Sequence, residues 1–254
     1  MATVEPLLPP IPQAAIVFVG SGDFHHVSLG LVGRRREPCN LLVLDAHPDW
    51  MRGVPFLHCG TWLYHAARLP NVATVYHVGG QIDFDNHFRW LAPWSLLQSG
   101  KIKVISAARR FHGGRWETTN HQPLRANPDE PVLPSRVEAL FGRDRADLAA
   151  RPLHISIDKD VLCAAEAASN WDCGCLTLAE VTGVIRHFLA AAHGRLVGAD
   201  IVGDWSPVRV RGPVAMALHH FEHPRVAIAS DEATRRNLRA NLALLAALLE
   251  TSTG

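Results

Sequence analysis

The sequence has almost no net charge and lacks any hydrophobic run long enough to span a membrane. Its 254 residues include 25 Lys and Arg against 24 Asp and Glu, so the formal net charge is +1. Such a balance offers no broad positive field for a nucleic-acid backbone or an anionic membrane surface. The longest apolar runs, such as Ala14 to Val19 and Leu242 to Leu249, are far shorter than the ~20 residues of a membrane-spanning helix. We therefore expect neither a nucleic-acid partner nor a membrane partner.

Cysteine is scarce and irregularly spaced. The five cysteines, an odd number, do not suit a disulfide framework and fit a reducing compartment. Cys173-x-Cys175 lacks the second pair that a structural zinc site requires. The opening Met-Ala-Thr-Val-Glu-Pro does not show the basic stretch and apolar core of a secretory signal. The sequence thus predicts a cytoplasmic protein without a structural zinc site.

A hydrophobic fraction of 48% with 19% charged residues is typical of a compact chain rather than a disordered one. Short apolar runs alternate with longer amphipathic ones, which predicts crossover units feeding a parallel sheet. The predicted strands are Ala15 to Val19, Leu41 to Leu44, Val72 to Val78, Lys101 to Ser106, Leu153 to Ile157 and Leu196 to Ile201. We therefore expect a single α/β domain over residues 1–254, with three αβα layers and a mostly parallel central sheet.

Amphipathic segments between these strands predict the helices. They are Thr61 to Leu69, Asn86 to Gln98, Ser135 to Phe141, Thr177 to Ala192 and Asp231 to Glu250. Asp231 is a candidate N-cap for the last of them. The segment Arg109 to Pro134 is rich in glycine, proline and polar residues, so it is interpreted as a long loop.

The first cluster of candidate functional residues follows the second strand, at the edge where parallel sheets bind ligands. Leu44 runs directly into Asp45-Ala46-His47-Pro48-Asp49. An extended backbone would direct Asp45, His47 and Asp49 to one side, where they form a mixed carboxylate and imidazole set. A turn with an aspartate cap and an unrelated histidine is the alternative, and it has to explain the second cluster as well.

That second cluster is Ser156-Ile157-Asp158-Lys159-Asp160, again at the end of an apolar strand. Two carboxylates aimed the same way repel each other and are costly to bury unless a cation neutralises them. A third segment, Gly20 to His26, is a glycine-containing turn that brings imidazoles to the same edge. The three segments offer more ligands than one tetrahedral zinc needs, which favours two ions such as Mn²⁺ that together activate a water molecule.

The order of these segments resembles the arginase, agmatinase and formimidoylglutamase family, the ureohydrolases. The likeness rests on Gly-Asp-x-His, then Asp-Ala-His-x-Asp, then Ser-x-Asp-x-Asp. His58-Cys59-Gly60-Thr61 is similar to the family's His-Gly-Thr segment, and Gly174 to Thr177 before Glu180 is similar to its Gly-Gly-Leu-Thr-x-x-Glu stretch. The resemblance implies an arginase-like fold, two divalent ions, most often Mn²⁺, a homo-oligomer, and hydrolysis of a C–N bond in a small guanidino, amidino or formimino substrate.

Carried over by this resemblance, the metal ligands are Asp45, His47, Asp49, Asp158 and Asp160, with His25 as the sixth. His26 stays an alternative to His25, because Phe24 stands as an insertion in the family's Gly-Gly-Asp-His-Ser pattern. Asp160 would also hold or relay the proton of the attacking hydroxide.

The resemblance also suggests catalytic and substrate-binding residues. His58 would protonate the leaving amine, although the intervening Cys59 could take that place instead. Asp204 replaces a family glutamate that precedes a proline by three residues, so it would orient a cationic substrate. Trp50, Arg52 and Trp205 lie beside the motifs and are further candidates for substrate binding, with core packing or plain exposure as the alternatives.

Two other functions remain open at this point. A hydrolase on the related deacetylase-like scaffold would use one metal ion and cleave an amide, but it would need fewer ligands than this sequence offers. A binding protein could keep the fold and lack turnover, and the altered Gly-Asp-Phe-His and His-Cys-Gly-Thr segments are the reason to consider it.

Overall fold

The computed structural model of the chain describes residues 15–52, 56–80, 90–108, 121–125, 137–139, 142–207 and 228–250. The strands of these residues form a seven-stranded parallel sheet in the order β1-β7-β6-β2-β3-β4-β5. They are β1 (Ile16–Gly20), β2 (Cys39–Leu44), β3 (Val72–Val78), β4 (Ile102–Ala108), β5 (His121–Arg125), β6 (Leu153–Asp158) and β7 (Leu196–Val202).

Helices cover both faces of the sheet. They are α1 (Val27–Gly33), α2 (Trp62–Ala66), α3 (Trp94–Gln98), α4 (Arg145–Ala150), α5 (Leu178–Ala191) and α6 (Ser230–Leu249). Leu42 and Leu44 of β2 join the core formed with α4, α5 and α6, whereas Leu41 and Val43 join the core formed with α1, α2 and α3. Alternate residues of one strand therefore enter two cores, which confirms the predicted three-layer α/β fold.

The clearest predicted helix matches the structure closely. Thr177 caps α5 by accepting a hydrogen bond from the Glu180 N–H, and the Glu180 carboxylate accepts from the Thr177 N–H in return. This capping box fixes the start of the helix. The prediction for the last helix was wrong in one detail, because α6 begins at Ser230 after Ala229 and Asp231 lies inside its first turn.

Of the strands and α-helices in the described residues, three were not predicted. Strand β5 lies inside the segment interpreted as a loop; it is short, polar and contains Pro123, so it lacks an apolar pattern and exists by pairing with β4 at the sheet edge. Helices α1 and α4, with seven and six residues, are too short for a periodic pattern to stand out.

Other predicted segments are only partly described. Thr61 to Leu69 contains α2, and Asn86 to Gln98 contains α3, with 86–89 outside the described residues. Of Ser135 to Phe141 the structure describes 137–139, which are helical. Within the part of the chain that is described, no helix is both long and apolar enough to cross a membrane.

Candidate metal centre

The turn after β2 brings its three polar side chains together, but not by strand alternation as the sequence suggested. Strand β2 ends at Leu44, and the chain then turns so that Asp49 adopts φ 48°, in the left-handed region that a non-glycine residue rarely occupies. The Asp45 carboxylate accepts a 2.7 Å hydrogen bond from the His47 N–H, which holds the turn closed. The strain at Asp49 therefore aims its carboxylate back toward Asp45.

The end of β6 is also a turn. Asp158 is the last strand residue, and Lys159–Val161 forms one turn of 3₁₀ helix in which the Asp158 carboxylate accepts from the Asp160 N–H at 3.0 Å. The Asp160 carboxylate accepts from the Ala46 N–H at 3.1 Å, which ties the two segments together. Gly203, at φ +93°, packs so closely on Asp158 that a Cβ there would collide with its carboxylate.

His25 completes the cluster from the first segment. It follows the 3₁₀ turn Gly22–Phe24, and its side chain is only 1% exposed. Its Nδ1 lies 3.0 Å from Asp49 Oδ2, 3.3 Å from Asp45 Oδ2 and 3.4 Å from Asp158 Oδ2. His26 instead begins α1, half-buried, with its ring beside Phe24. The structure thus brings His25, rather than His26, among the carboxylates.

The cluster consists of two ligand groups that share one residue. The first group is His25, Asp45 and Asp49, and the second is Asp45, His47 and Asp160; in each, the ligand atoms lie within 4.8 Å of one another. His47 Nδ1 lies 2.8 Å from Asp160 Oδ2 and 3.9 Å from Asp45 Oδ1. Asp45 is therefore the residue that belongs to both groups.

The buried polar atoms of the cluster fit divalent cations. His25 Nδ1 and Asp45 Oδ2 are buried and have no hydrogen-bond partner among the described residues, although they lie close together. Aspartate oxygens and imidazole nitrogens are the ligands that borderline ions such as Mn²⁺ accept. Two divalent ions would satisfy these atoms and neutralise the carboxylates of the cluster.

Without such ions, the close approach of the carboxylates and imidazoles shifts their pKa values. Burial and the neighbouring Asp160 raise the pKa of Asp158 to about 7. Burial opposes the charge of His47, but Asp160 outweighs it and raises the pKa of His47 to about 10. Burial also opposes protonation of His25, yet the neighbouring Asp45 and Asp49 carboxylates raise its pKa well above the usual value. The cluster therefore holds protons in places that divalent ions would occupy.

His58 and Cys59 begin the 3₁₀ turn Cys59–Thr61 that precedes α2. The His58 ring accepts a hydrogen bond from the Gly60 N–H at 3.2 Å, and the Thr61 hydroxyl accepts from the His58 N–H, so His58 caps this turn. Burial raises the pKa of the Cys59 thiol to about 12, and the negative charge of Asp49 contributes to this increase. The thiol therefore stays protonated near the cluster.

Asp204 forms an ion pair with a residue that sequence reasoning left unassigned. Lys159, between the two aspartates of its motif, is fully buried and donates from Nζ to Asp204 Oδ1 and, at 2.8 Å, to Asn241 Oδ1 of α6. The Asp204 side chain is 33% exposed. The carboxylate predicted to orient a cation thus already has an internal cationic partner.

The remaining predicted substrate-binding residues take different positions. Trp50 is only 3% exposed and belongs to the core on the α1 side of the sheet. Arg52 is exposed, and its N–H donates to the Leu91 carbonyl. Trp205 is half-buried, with its N–H donating to the Ala168 carbonyl. Trp50 is thus a core residue, and these contacts of Arg52 and Trp205 are made by their backbones.

Two other tryptophans do contact the cluster. The Trp62 indole N–H donates to Asp49 Oδ2 at 2.9 Å, and its ring lies 4.7 Å from that of His25. Trp171 meets the His47 ring edge-on at 5.9 Å and packs against Gly22. Their position next to a motif was the only sequence signal, and Trp50 and Trp205 share it, so the sequence alone could not select between them.

A buried histidine supports the turn from below. His77 of β3 is fully buried, lies 2.7 Å from the His47 carbonyl through its Nε2, and packs its ring 5.2 Å from that of Trp50. Burial lowers the pKa of His77 to about 4. His77 is therefore neutral in the folded chain at neutral pH, with Nε2–H as the donor.

We expect His77 to make the chain less stable in mild acid. In the unfolded chain its pKa returns to about 6.5, so between pH 6.5 and 4 the unfolded state binds more protons and stability falls as pH falls. The full effect is at most about 3 kcal/mol, at 1.36 kcal/mol for each pKa unit. Urea unfolding at pH 7 and pH 4.5, with chelator present, measures it. His77→Gln keeps a donor but cannot titrate, and an unchanged pH dependence in this variant would contradict the assignment.

Sequence comparison places this geometry in a family. The model of the Arginase family matches residues 11–209. The chain belongs to the arginase family. A Thermotoga maritima protein described only as uncharacterized is 26% identical over 205 residues, which are 81% of this chain and 63% of that protein. The match to this arginase-family chain therefore covers less than two thirds of that relative's length.

Solved structures similar to this arginase-family chain have the same fold. Agmatine ureohydrolase of Thermoplasma volcanium matches with TM-score 0.52 and 15% identity, over 95% of this chain and 65% of that one. Formimidoylglutamase from Bacillus subtilis matches with TM-score 0.58 and 13% identity, over 94% and 61%. Arginase from Bacillus cereus matches with TM-score 0.52 and 15% identity, over 92% and 70%. The resemblance to the family is thus confirmed for the fold, at low identity.

Proposed function

We propose that this chain is a metal-dependent hydrolase of the ureohydrolase type, built as a single domain, that cleaves a C–N bond of a small guanidino, amidino or formimino compound. The observation that carries the proposal is the position of Asp45, which belongs to both ligand groups. When bound, two divalent ions, most often Mn²⁺ in this family by resemblance, would lower the pKa of a water molecule and stabilise the charge that develops during attack.

Different residues of the chain would hold the two ions and accept the proton. His25, Asp49 and Asp158 would hold one ion, His47 and Asp160 the other, and Asp45 both. The Asp160 carboxylate is fixed by the Ala46 N–H and faces the His47 ring, so it is placed to take up the proton of the attacking water. The buried surroundings of the cluster strengthen each of these interactions.

The leaving amine must receive a proton, and two donors remain candidates. His58 uses Nδ1 to accept from Gly60, which leaves Nε2 to carry the proton. Cys59 keeps its thiol proton beside Asp49. Comparing His58→Asn, which retains the capping acceptor, with Cys59→Ala, which removes the thiol proton, separates these two roles, since only loss of the true donor lowers kcat.

The ion pair between Lys159 and Asp204 changes the role expected of Asp204 in substrate binding. Lys159 neutralises this carboxylate, so we propose that Asp204 attracts a cationic substrate only weakly. The half-buried Trp171 ring, beside His47, offers a flat surface for a planar C–N group instead. A substrate-binding role remains a prediction for Trp50, Arg52 and Trp205. A homo-oligomer and a cytoplasmic location also remain predictions.

Metal content and hydrolysis test this proposal together. We expect purified chain, reconstituted with Mn²⁺, to bind two equivalents and to release urea, formamide or amine from at least one guanidino, amidino or formimino compound. Asp172→Asn, at an exposed residue next to Trp171, is a control that should keep both equivalents. One equivalent with amide cleavage would point to the single-metal amide hydrolase, and no binding would leave a protein that keeps the fold for another use.

A further inference from the structure

A line of polar residues lies beneath the cluster on one face of the sheet. His154, Ser156 and Asp158 alternate along β6, so their side chains share this face. Asp200 of β7 lies directly across from Ser156 in the strand register. The α1 side contributes Ser28, and all four residues deeper than Asp158 are at most 1% exposed: Ser28, His154, Ser156 and Asp200.

Hydrogen bonds join this line to His25. His25 Nε2 lies 3.1 Å from Ser156 Oγ, and Ser156 Oγ donates to Asp200 Oδ1 at 2.7 Å. Ser28 Oγ donates to the same oxygen at 2.6 Å. His154 Nε2 lies 2.9 Å from Asp200 Oδ2. Asp200 is thus the common acceptor of the network.

The donor and acceptor roles follow from the contacts of Asp200, whose Oδ1 lies within hydrogen-bond distance of two hydroxyls and whose Oδ2 faces His154 Nε2. Burial alone would raise its pKa, but the His154 contacts and the Ser28 hydrogen bond lower it below the usual value. An ionised carboxylate accepts only, so the single hydroxyl proton of Ser156 points toward Asp200. The Ser156 oxygen is then left to accept from His25 Nε2–H, so Nδ1, which faces Asp45 and Asp49, is the nitrogen that would give up its proton to a metal ion.

We propose that Asp200, acting through Ser156, is a positioning residue that holds His25 in the tautomer able to ligate a metal ion through Nδ1. The inference rests on the proposed metal centre and goes beyond it, because it assigns a role to residues that touch neither ion nor substrate. Groups that orient a ligand histidine alter metal affinity by about 10- to 100-fold in other sites. The effect here is confined to the first ligand group, since His47 makes no contact with this network.

Two serines provide a matched test. Ser156→Ala and Ser28→Ala each remove one buried hydrogen bond to Asp200, but only Ser156→Ala leaves His25 Nε2 without its acceptor. We expect Ser156→Ala to weaken one of two Mn²⁺ equivalents by about 10- to 100-fold. Ser28→Ala should leave both near wild-type affinity, and Ser156→Thr, which restores the hydroxyl, should recover most of the loss.

Mn²⁺ titration followed by electron paramagnetic resonance measures each equivalent without a substrate, and urea unfolding compares the stability of the two alanine variants. Equal metal affinity in Ser156→Ala and Ser28→Ala would overturn the positioning role while leaving the proposed hydrolase intact. A wild-type chain that binds no Mn²⁺ would overturn both. A selective loss in Ser156→Ala, at a stability matching that of Ser28→Ala, supports the inference.

Discussion

Replacing Asp45 with asparagine is expected to remove both metal equivalents at once. Asp45 is fully buried and is the residue common to the two ligand groups. Asparagine has the same shape and its carbonyl can still accept from the His47 N–H, so the turn should survive while each group loses one negative charge. Hydrolysis should fall by at least ~1,000-fold, because water activation and charge stabilisation both depend on the ions.

Asp49→Asn is the informative comparison, because Asp49 belongs to the first group only. Metal analysis by mass spectrometry after reconstitution and gel filtration should give none of two equivalents for Asp45→Asn and one for Asp49→Asn. Circular dichroism checks that both variants are folded. If Asp45→Asn retains one tightly bound equivalent, Asp45 does not bridge two ions and the dinuclear proposal fails.

Removing Asp204 should destabilise the fold far more than removing its partner Lys159. In Asp204→Ala, the fully buried Lys159 ammonium keeps the Asn241 carbonyl as its one acceptor among the described residues, and an uncompensated buried charge costs about 3–5 kcal/mol. In Lys159→Met, a side chain of similar length fills the space, and the 33% exposed Asp204 can be hydrated. That change should stay within about 1 kcal/mol.

Urea unfolding with chelator present, at neutral pH, measures both variants free of any contribution from bound metal. Asp204→Asn is the matched control, because its side-chain carbonyl can still accept from Lys159 while the charge is lost, and it should fall between the other two. If Lys159→Met proves the more damaging substitution, the ion pair does not dominate this region and Lys159 has another role.

Most of the fold could be predicted from local patterns. Strand β2 is buried at every position because both of its faces are covered, and its apolar run Leu41 to Leu44 predicted a buried parallel strand. Strand β5 carries no such pattern, since an edge strand forms by hydrogen bonding to its neighbour rather than by burying alternate side chains. Short helices such as α4 also depend on packing more than on their own sequence.

The candidate site was likewise predicted only in part from the sequence. The carboxylates and imidazoles stood out because charged residues directly after apolar strands need a reason to be there. The way in which these side chains converge could not be predicted, because the left-handed backbone of Asp49 and the 3₁₀ turn at Asp160 are features that residue spacing does not reveal. Asp200, alone among apolar residues in β7, was the signal available for the network beneath His25.

The sequence by itself determined the layered parallel sheet and the residue types gathered at its carboxyl edge, because burial patterns and charge cost are local properties. Only the tertiary structure decided which atoms meet. Asp45 belongs to two ligand groups, and His25 rather than His26 lies among the carboxylates. Lys159 forms an ion pair with Asp204. These choices depend on distances between separate segments, which are 45 residues apart for Lys159 and Asp204 and 113 residues apart for His47 and Asp160. Side-chain pairing over such separations follows from packing, which no local pattern encodes.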